Sequence, residues 1–107
     1  MTDLEITKLC AEAMGLQHHV PRDAFDGEFW VMVIGYSIED IPFVSRYDPL
    51  HDDEQAMALV KKFRLSVFFD HENGHWCVSL DLTGEDICNA DLNRAACMCV
   101  SKMESKK

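Results

Sequence analysis

An Asn-Gly pair between two apolar runs is the feature that most limits what this chain can fold into. From Phe63 to Leu82 the chain reads Phe-Arg-Leu-Ser-Val-Phe-Phe-Asp-His-Glu-Asn-Gly-His-Trp-Cys-Val-Ser-Leu-Asp-Leu. A type I′ turn needs positive φ at both central residues, and Asn73-Gly74 supplies them at little cost. Counting outward, Glu72 is expected opposite His75, His71 opposite Trp76, Asp70 opposite Cys77 and Phe69 opposite Val78. Val67 then faces Leu80 and Leu65 faces Leu82. Alternation collects Leu65, Val67, Phe69, Trp76, Val78, Leu80 and Leu82 on one face. Ser66, Asp70, Ser79 and Asp81 fall on the other, with Phe68 and Cys77 its apolar members. A slip of one residue would undo this sorting, so pattern and turn support each other.

Helical spacing accounts for the segments on either side. Thr2-Asp3-Leu4-Glu5 has the form of a capping box, Ile6, Leu9, Cys10 and Ala13 recur at helical intervals, and Gly15 is the expected stop. Gln17-His18-His19-Val20-Pro21-Arg22-Asp23 reads as a loop. Phe29 to Ile34 is apolar on both faces, which suits a central strand covered on each side; Gly35 to Leu50 carries no assignable period. A second helix is expected to start at Asp48-Pro49 or at Asp52-Asp53-Glu54, with carboxylates at its positive end and Lys61-Lys62 at its negative end. Its buried stripe is Ala56, Leu59, Val60 and Phe63. After the hairpin, Thr83 or Asp86 caps a third helix lined by Cys88, Leu92, Ala95, Ala96, Cys99 and Met103. The expected fold is a single α+β domain over 1–107. Three helices pack on a small, mainly antiparallel sheet containing the hairpin, in the order α-β-α-β-β-α.

At 107 residues the chain is long enough for one core, burying roughly 60–70% of the unfolded surface. No apolar run approaches the roughly 20 residues a membrane-spanning helix needs, and the acidic N-terminus is not a secretory signal. A net charge of −9 disfavours nucleic acid and anionic membranes, because both require basic surface. It permits docking on a protein with a basic surface, while the plainer reading is that acidic charge keeps a small protein soluble. Five cysteines without paired CxxC spacing point to reduced thiols in a cytoplasmic protein, not to a disulfide framework or zinc knuckle. Cys10, Cys88 and Cys99 fall on the expected buried helix stripes.

Catalytic constellations are missing from the pattern. His71-Glu72-Asn73-Gly74-His75 spells HExxH, but a zinc-binding helix needs both imidazoles on one side, and Asn-Gly favours a tight turn. The expected register separates the two rings. A metal role for His18, His19 and His51 is a weaker reading than a surface loop. No phosphate-cradling glycine loop or nucleophile elbow is present. The residues expected to meet a partner are Asp48, Asp52, Asp53 and Glu54; no catalytic residue, metal ligand or cofactor is assigned.

Three stretches carry a family likeness. They are Asp3-Leu4-Glu5-Ile6 through Ala13-Met14-Gly15-Leu16, the Tyr47-Asp48-Pro49 approach to Ala56-Met57-Ala58-Leu59-Val60, and Asp86-Ile87-Cys88-Asn89-Ala90-Asp91-Leu92 with Ala95-Ala96 behind it. Together they resemble the phage ABA-sandwich domain family. The resemblance implies a phage or prophage product with helices on both sides of a small sheet, and it brings no catalytic residues. A three-layer arrangement requires the Phe29–Ile34 strand at the centre, or a partner over the hairpin's mixed face. The expected function is that of a non-enzymatic accessory or counter-defence factor, acting on a host protein in the bacterial cytoplasm. The alternatives are a nucleotide- or metabolite-sequestering protein and, behind it, a metal-dependent hydrolase. A homodimer is expected if apolar residues of the mixed face stay exposed, or if the Phe29–Ile34 strand lies at an edge.

Overall fold

A computed structural model describes residues 1–18, 28–38, 41–80 and 86–106, and the side chains of these except at 32–38 and 41–43. Its elements are α1 (Asp3–Ala13), β1 (Trp30–Ile38), β2 (Ile41–Arg46), α2 (Asp53–Phe63), β3 (Ser66–Asp70), β4 (His75–Ser79), β5 (Asp86–Asn89) and α3 (Leu92–Ser105). The expected class and the α-β-α-β-β-α order are present, with β2 and β5 added. The strands form two antiparallel sheets, a β1-β2 ribbon and a β3-β4-β5 meander. None of the described helices is long and apolar enough to cross a membrane.

Each helix is started by a side chain that the sequence puts in place. The Thr2 hydroxyl accepts from the Glu5 amide, the Asp52 carboxylate from Gln55 and the Asp91 carboxylate from Asn93, which satisfies donors that a helix leaves unpaired at its start. Helix α1 stops where Gly15 takes φ +73°, so that the Leu16 amide reaches back to the Ala11 carbonyl at 2.9 Å. Arg64 ends α2 in the left-handed region at φ 52°, a position that usually favours glycine.

Packing aligns the three helices. Arg94 near the start of α3 grips Asp3 at the start of α1, and Asn93 donates to Asp53 at the start of α2 at 2.8 Å. At the opposite end the Lys62 ammonium donates to the Met14 carbonyl at 3.3 Å. All three N-termini therefore gather at one end. Between these ends Ile6, Cys10, Leu59, Ala95, Ala96, Cys97 and Val100 close a core with Leu65 and Val78 of the hairpin region. Helix α3 is common to it, touching α1, α2, β4 and β5. Ala95, Ala96 and Cys97 are fully buried; small side chains there let neighbours come close.

The hairpin forms with a different turn. Phe69 pairs with Trp76, Val67 with Val78 and Asp70 with His75, two residues away from the expected register. The loop holds four residues, His71 to Gly74, and only Gly74 of these has positive φ. The Asp70 carboxylate explains the change. It accepts from the Glu72 and Asn73 amides and from Asn73 Nδ2, an Asx turn that winds the chain before Gly74 reverses it. Because the shift is even, the face sorting survives. Val78 and Leu65 are buried in the core, with Leu80 and Ile87 packed against it. Val67 and Phe69 sit farther out on edge strand β3 and keep 37% and 36% of their surface exposed.

Two other expectations are corrected. The Phe29–Ile34 run does not form the centre of the main sheet: β1 pairs with β2, and His18 makes an isolated bridge to Val31 on its other side. Asp86 does not cap the last helix; Asp86–Asn89 is strand β5, zipped along β4, and Asp91 is the cap. Burial of the central strand's second edge outweighs helical spacing there. The expected loop at 19–23, Leu82 and the Thr83 cap lie outside the described residues.

Leu59 is fully buried in the shared core. Leu59→Ala is expected to cost about 3 kcal/mol, by loss of transfer free energy plus a residual cavity. Urea denaturation reads this as a lower midpoint with an unchanged slope.

Candidate functional site

Among the described residues two places combine chemistry with access, and the first is the end where the helices start. Asp48, Asp52, Asp53 and Glu54 lie together there, with Asp3 and Asp91 from the other helices. Their positions have local causes. The Asp48 carboxylate meets His51 Nδ1 at 3.0 Å and Arg46 at 4.0 Å. Asp52 caps α2, Asp53 accepts from Asn93, and Glu54 points to solvent from the first turn. Three positive helix termini stabilise carboxylates at this end. The Arg94–Asp3 pair is bidentate, at 3.0 and 3.1 Å, and that hydrogen bond holds the Asp3 carboxyl below the usual carboxylate range.

A cleft of about 240 Å³ opens beside these acids, lined by Asp3, Thr7, Phe29, Arg46, Tyr47 and His51 among others. Its arginine is engaged by Glu28 at 3.6 Å and by Asp48. The Tyr47 hydroxyl lies buried with no hydrogen-bond partner among the described residues, and burial pushes its pKa up. Arg64 caps α2, Arg94 pairs with Asp3, and Arg22 lies outside the described residues. The described arginines thus form no basic pocket.

The second place is the sheet face turned away from α3. Strand alternation puts His75 and Cys77 of β4 on it, and Cys88 of β5 stands directly across from Cys77. The two sulfurs stand 2.6 Å apart, a contact that, with burial, raises the Cys77 pKa to about 11. His75, Cys77 and Cys88 bring one potential ligand atom each to within 4.8 Å of one another. Asp70, the cross-strand partner of His75, sets its Oδ2 3.6 Å from Nε2. Phe68 lies on the same face and is 48% exposed.

The HExxH segment does not form a helix. His71 to Gly74 is the hairpin loop, where the His71 ring meets Phe69 edge-on at 4.9 Å, while His75 projects from β4. His18 stacks on Phe29 at 4.3 Å and His51 bonds Asp48. Neither joins a group of three ligands among the described residues, and His19 lies outside them.

Cys88 corrects the sequence reading most directly. Expected on a buried helix stripe, it is exposed on a strand, whereas Cys10, Cys77, Cys97 and Cys99 are buried. The Cys10 thiol donates to the Cys97 carbonyl at 3.4 Å. Sequence reasoning missed the His75-Cys77-Cys88 group because it took Asp86–Asn89 into the helix. The available signal was His75-x-Cys77, two ligands at strand spacing on one face.

No family model, curated protein or solved structure matches the chain. The phage ABA-sandwich resemblance therefore stays with the residues that suggested it.

The Asp3–Arg94 pair makes a pH prediction. Its folded carboxyl pKa lies below the unfolded value of about 4. The stability it contributes is therefore complete above that value and is lost as pH falls through the lowered one. Arg94→Gln is expected to return the Asp3 titration to the ordinary carboxylate range, followed by carbon-detected NMR. It is also expected to narrow the gap in urea midpoint between pH 7 and strong acid.

Proposed function

We propose that the chain acts by binding, as an acidic accessory or counter-defence protein of a phage that docks on a basic surface of a host protein in the bacterial cytoplasm. The observation that carries this reading is the charge: −9 over 107 residues, with Asp52, Asp53 and Glu54 exposed at the end where the helix N-termini meet. Complementary charge raises the rate of encounter and selects among partners. The phage setting rests on the resemblance of the three stretches named above. A second copy of the chain is the alternative partner, for the exposed Phe68.

A sequestered nucleotide is the weaker alternative. Small-molecule pockets run from about 300 to 1,000 Å³, and the cleft beside the start of α1 is smaller, at about 240 Å³, with its arginine already paired to carboxylates. A zinc hydrolase of the HExxH type loses its helix to the hairpin loop.

The test is affinity capture from host lysate at physiological ionic strength, run with the wild type and with the triple variant Asp52→Asn, Asp53→Asn, Glu54→Gln. Asparagine keeps the capping oxygens, so the variant is expected to fold. The wild type is expected to retain a basic protein, and the variant to bind it at least about 10-fold more weakly, with a flatter salt dependence. Equal retention by both proteins would count against the acidic end. No capture, together with a nucleotide that raises the melting temperature, would move the function to sequestration.

A further inference from the structure

We propose that the open face of the β3-β4-β5 sheet is a binding site for a soft or borderline divalent cation of the zinc type, held by Cys77, Cys88 and His75. The proposal is independent of the acidic end. It starts from strand geometry: His75 and Cys77 are two apart on β4 and share a face, and pairing with β5 brings Cys88 across from Cys77. The potential ligand atoms of the three residues lie within 4.8 Å of one another. That is close enough to converge on one ion by side-chain rotation alone.

The chemistry of the set selects the ion. Two thiolates and an imidazole suit zinc and disfavour magnesium or calcium, which take oxygen ligands. Tetrahedral zinc holds sulfur at about 2.3 Å, so two bound thiolates stand roughly 3.7 Å apart. The thiols here are 2.6 Å apart and must part on binding. Cys88 is exposed, so its side chain has room to turn. Each thiol gives up its proton, so two protons leave for each ion bound. Two thiolates neutralise the dication.

A supporting carboxylate is already in place. Metal-bound histidines commonly pair with a carboxylate that fixes the ring, and Asp70 Oδ2 lies 3.6 Å from His75 Nε2. The loop in turn holds Asp70 through the Glu72 and Asn73 amides and Asn73 Nδ2. The same aspartate thus shapes the hairpin turn and stands beside the imidazole. Asp70 is a positioning residue.

The experiment is titration of the reduced full-length protein with Co2+, whose thiolate complexes absorb by charge transfer, followed by displacement with Zn2+. The wild type is expected to take up one equivalent, develop the thiolate band and release two protons. Cys88→Ser, at an exposed position, is expected to keep its circular dichroism spectrum and lose most of the band. His75→Gln retains two thiolates and is expected to weaken binding, as is Asp70→Asn, the latter by about 10-fold or more. His51→Gln, away from the cluster, is expected to bind as the wild type does. A wild type without a thiolate band would overturn the proposal, as would an undiminished band in Cys88→Ser. So would the finding that Cys77 and Cys88 form a disulfide that the metal neither prevents nor competes with.

Discussion

The close approach permitted by the small residues of α3 is the constraint on which the other contacts depend. Ala95, Ala96, Cys97 and Val100 have no exposed surface, because this helix packs against α1, α2, β4 and β5. A larger side chain on that stripe would force its neighbours apart, since interiors packed like crystals have little slack. The buried thiols fit this role. Cys10 and Cys97 meet where α1 crosses α3, and the contact with Cys10, then burial, raise the Cys97 pKa. Both thiols act as small apolar packing groups.

Alignment of the helices follows from that packing and organises the charge. Each helix returns to the same starting end after a strand excursion, so the caps Thr2, Asp52 and Asp91 and the acids around them come together. Lys61 and Lys62 lie in the last turn of α2 and Lys102 in that of α3. Carboxylates near positive helix ends and lysines near negative ends are each stabilising on their own. Aligned, they also give the surface an acidic pole.

Sequence reading went furthest where local chemistry was strong. The Thr2 cap, the Gly15 stop and the Ala56–Leu59 stripe each depend on residues a few positions apart, and each is present. The hairpin's face sorting was legible, but its turn was not, because Asp70 competes for the loop amides and the Asn-Gly pair alone does not show this. Strand β5 was hidden for a different reason. Asp86-Ile87-Cys88-Asn89 is short and runs into a helical pattern, and only the vacant edge of β4 makes it a strand. The acidic candidates could be read as helix-end residues. The Cys-His group could not, since it exists only after β5 has paired.

The two sides of the small sheet therefore have different work. One carries Val78 and Ile87 into the helical core and stabilises the fold. The other carries His75, Cys77, Cys88 and Phe68 and is the face on which the metal site is proposed. This division holds only if α3 and its packed neighbours form the most stable unit of the chain. Native-state hydrogen exchange tests it most directly. The account predicts that amides from Ala96 to Val100 exchange only through global unfolding, with protection matching the free energy from denaturation. Exchange of those amides through local opening, while β4 stays more protected, would contradict it.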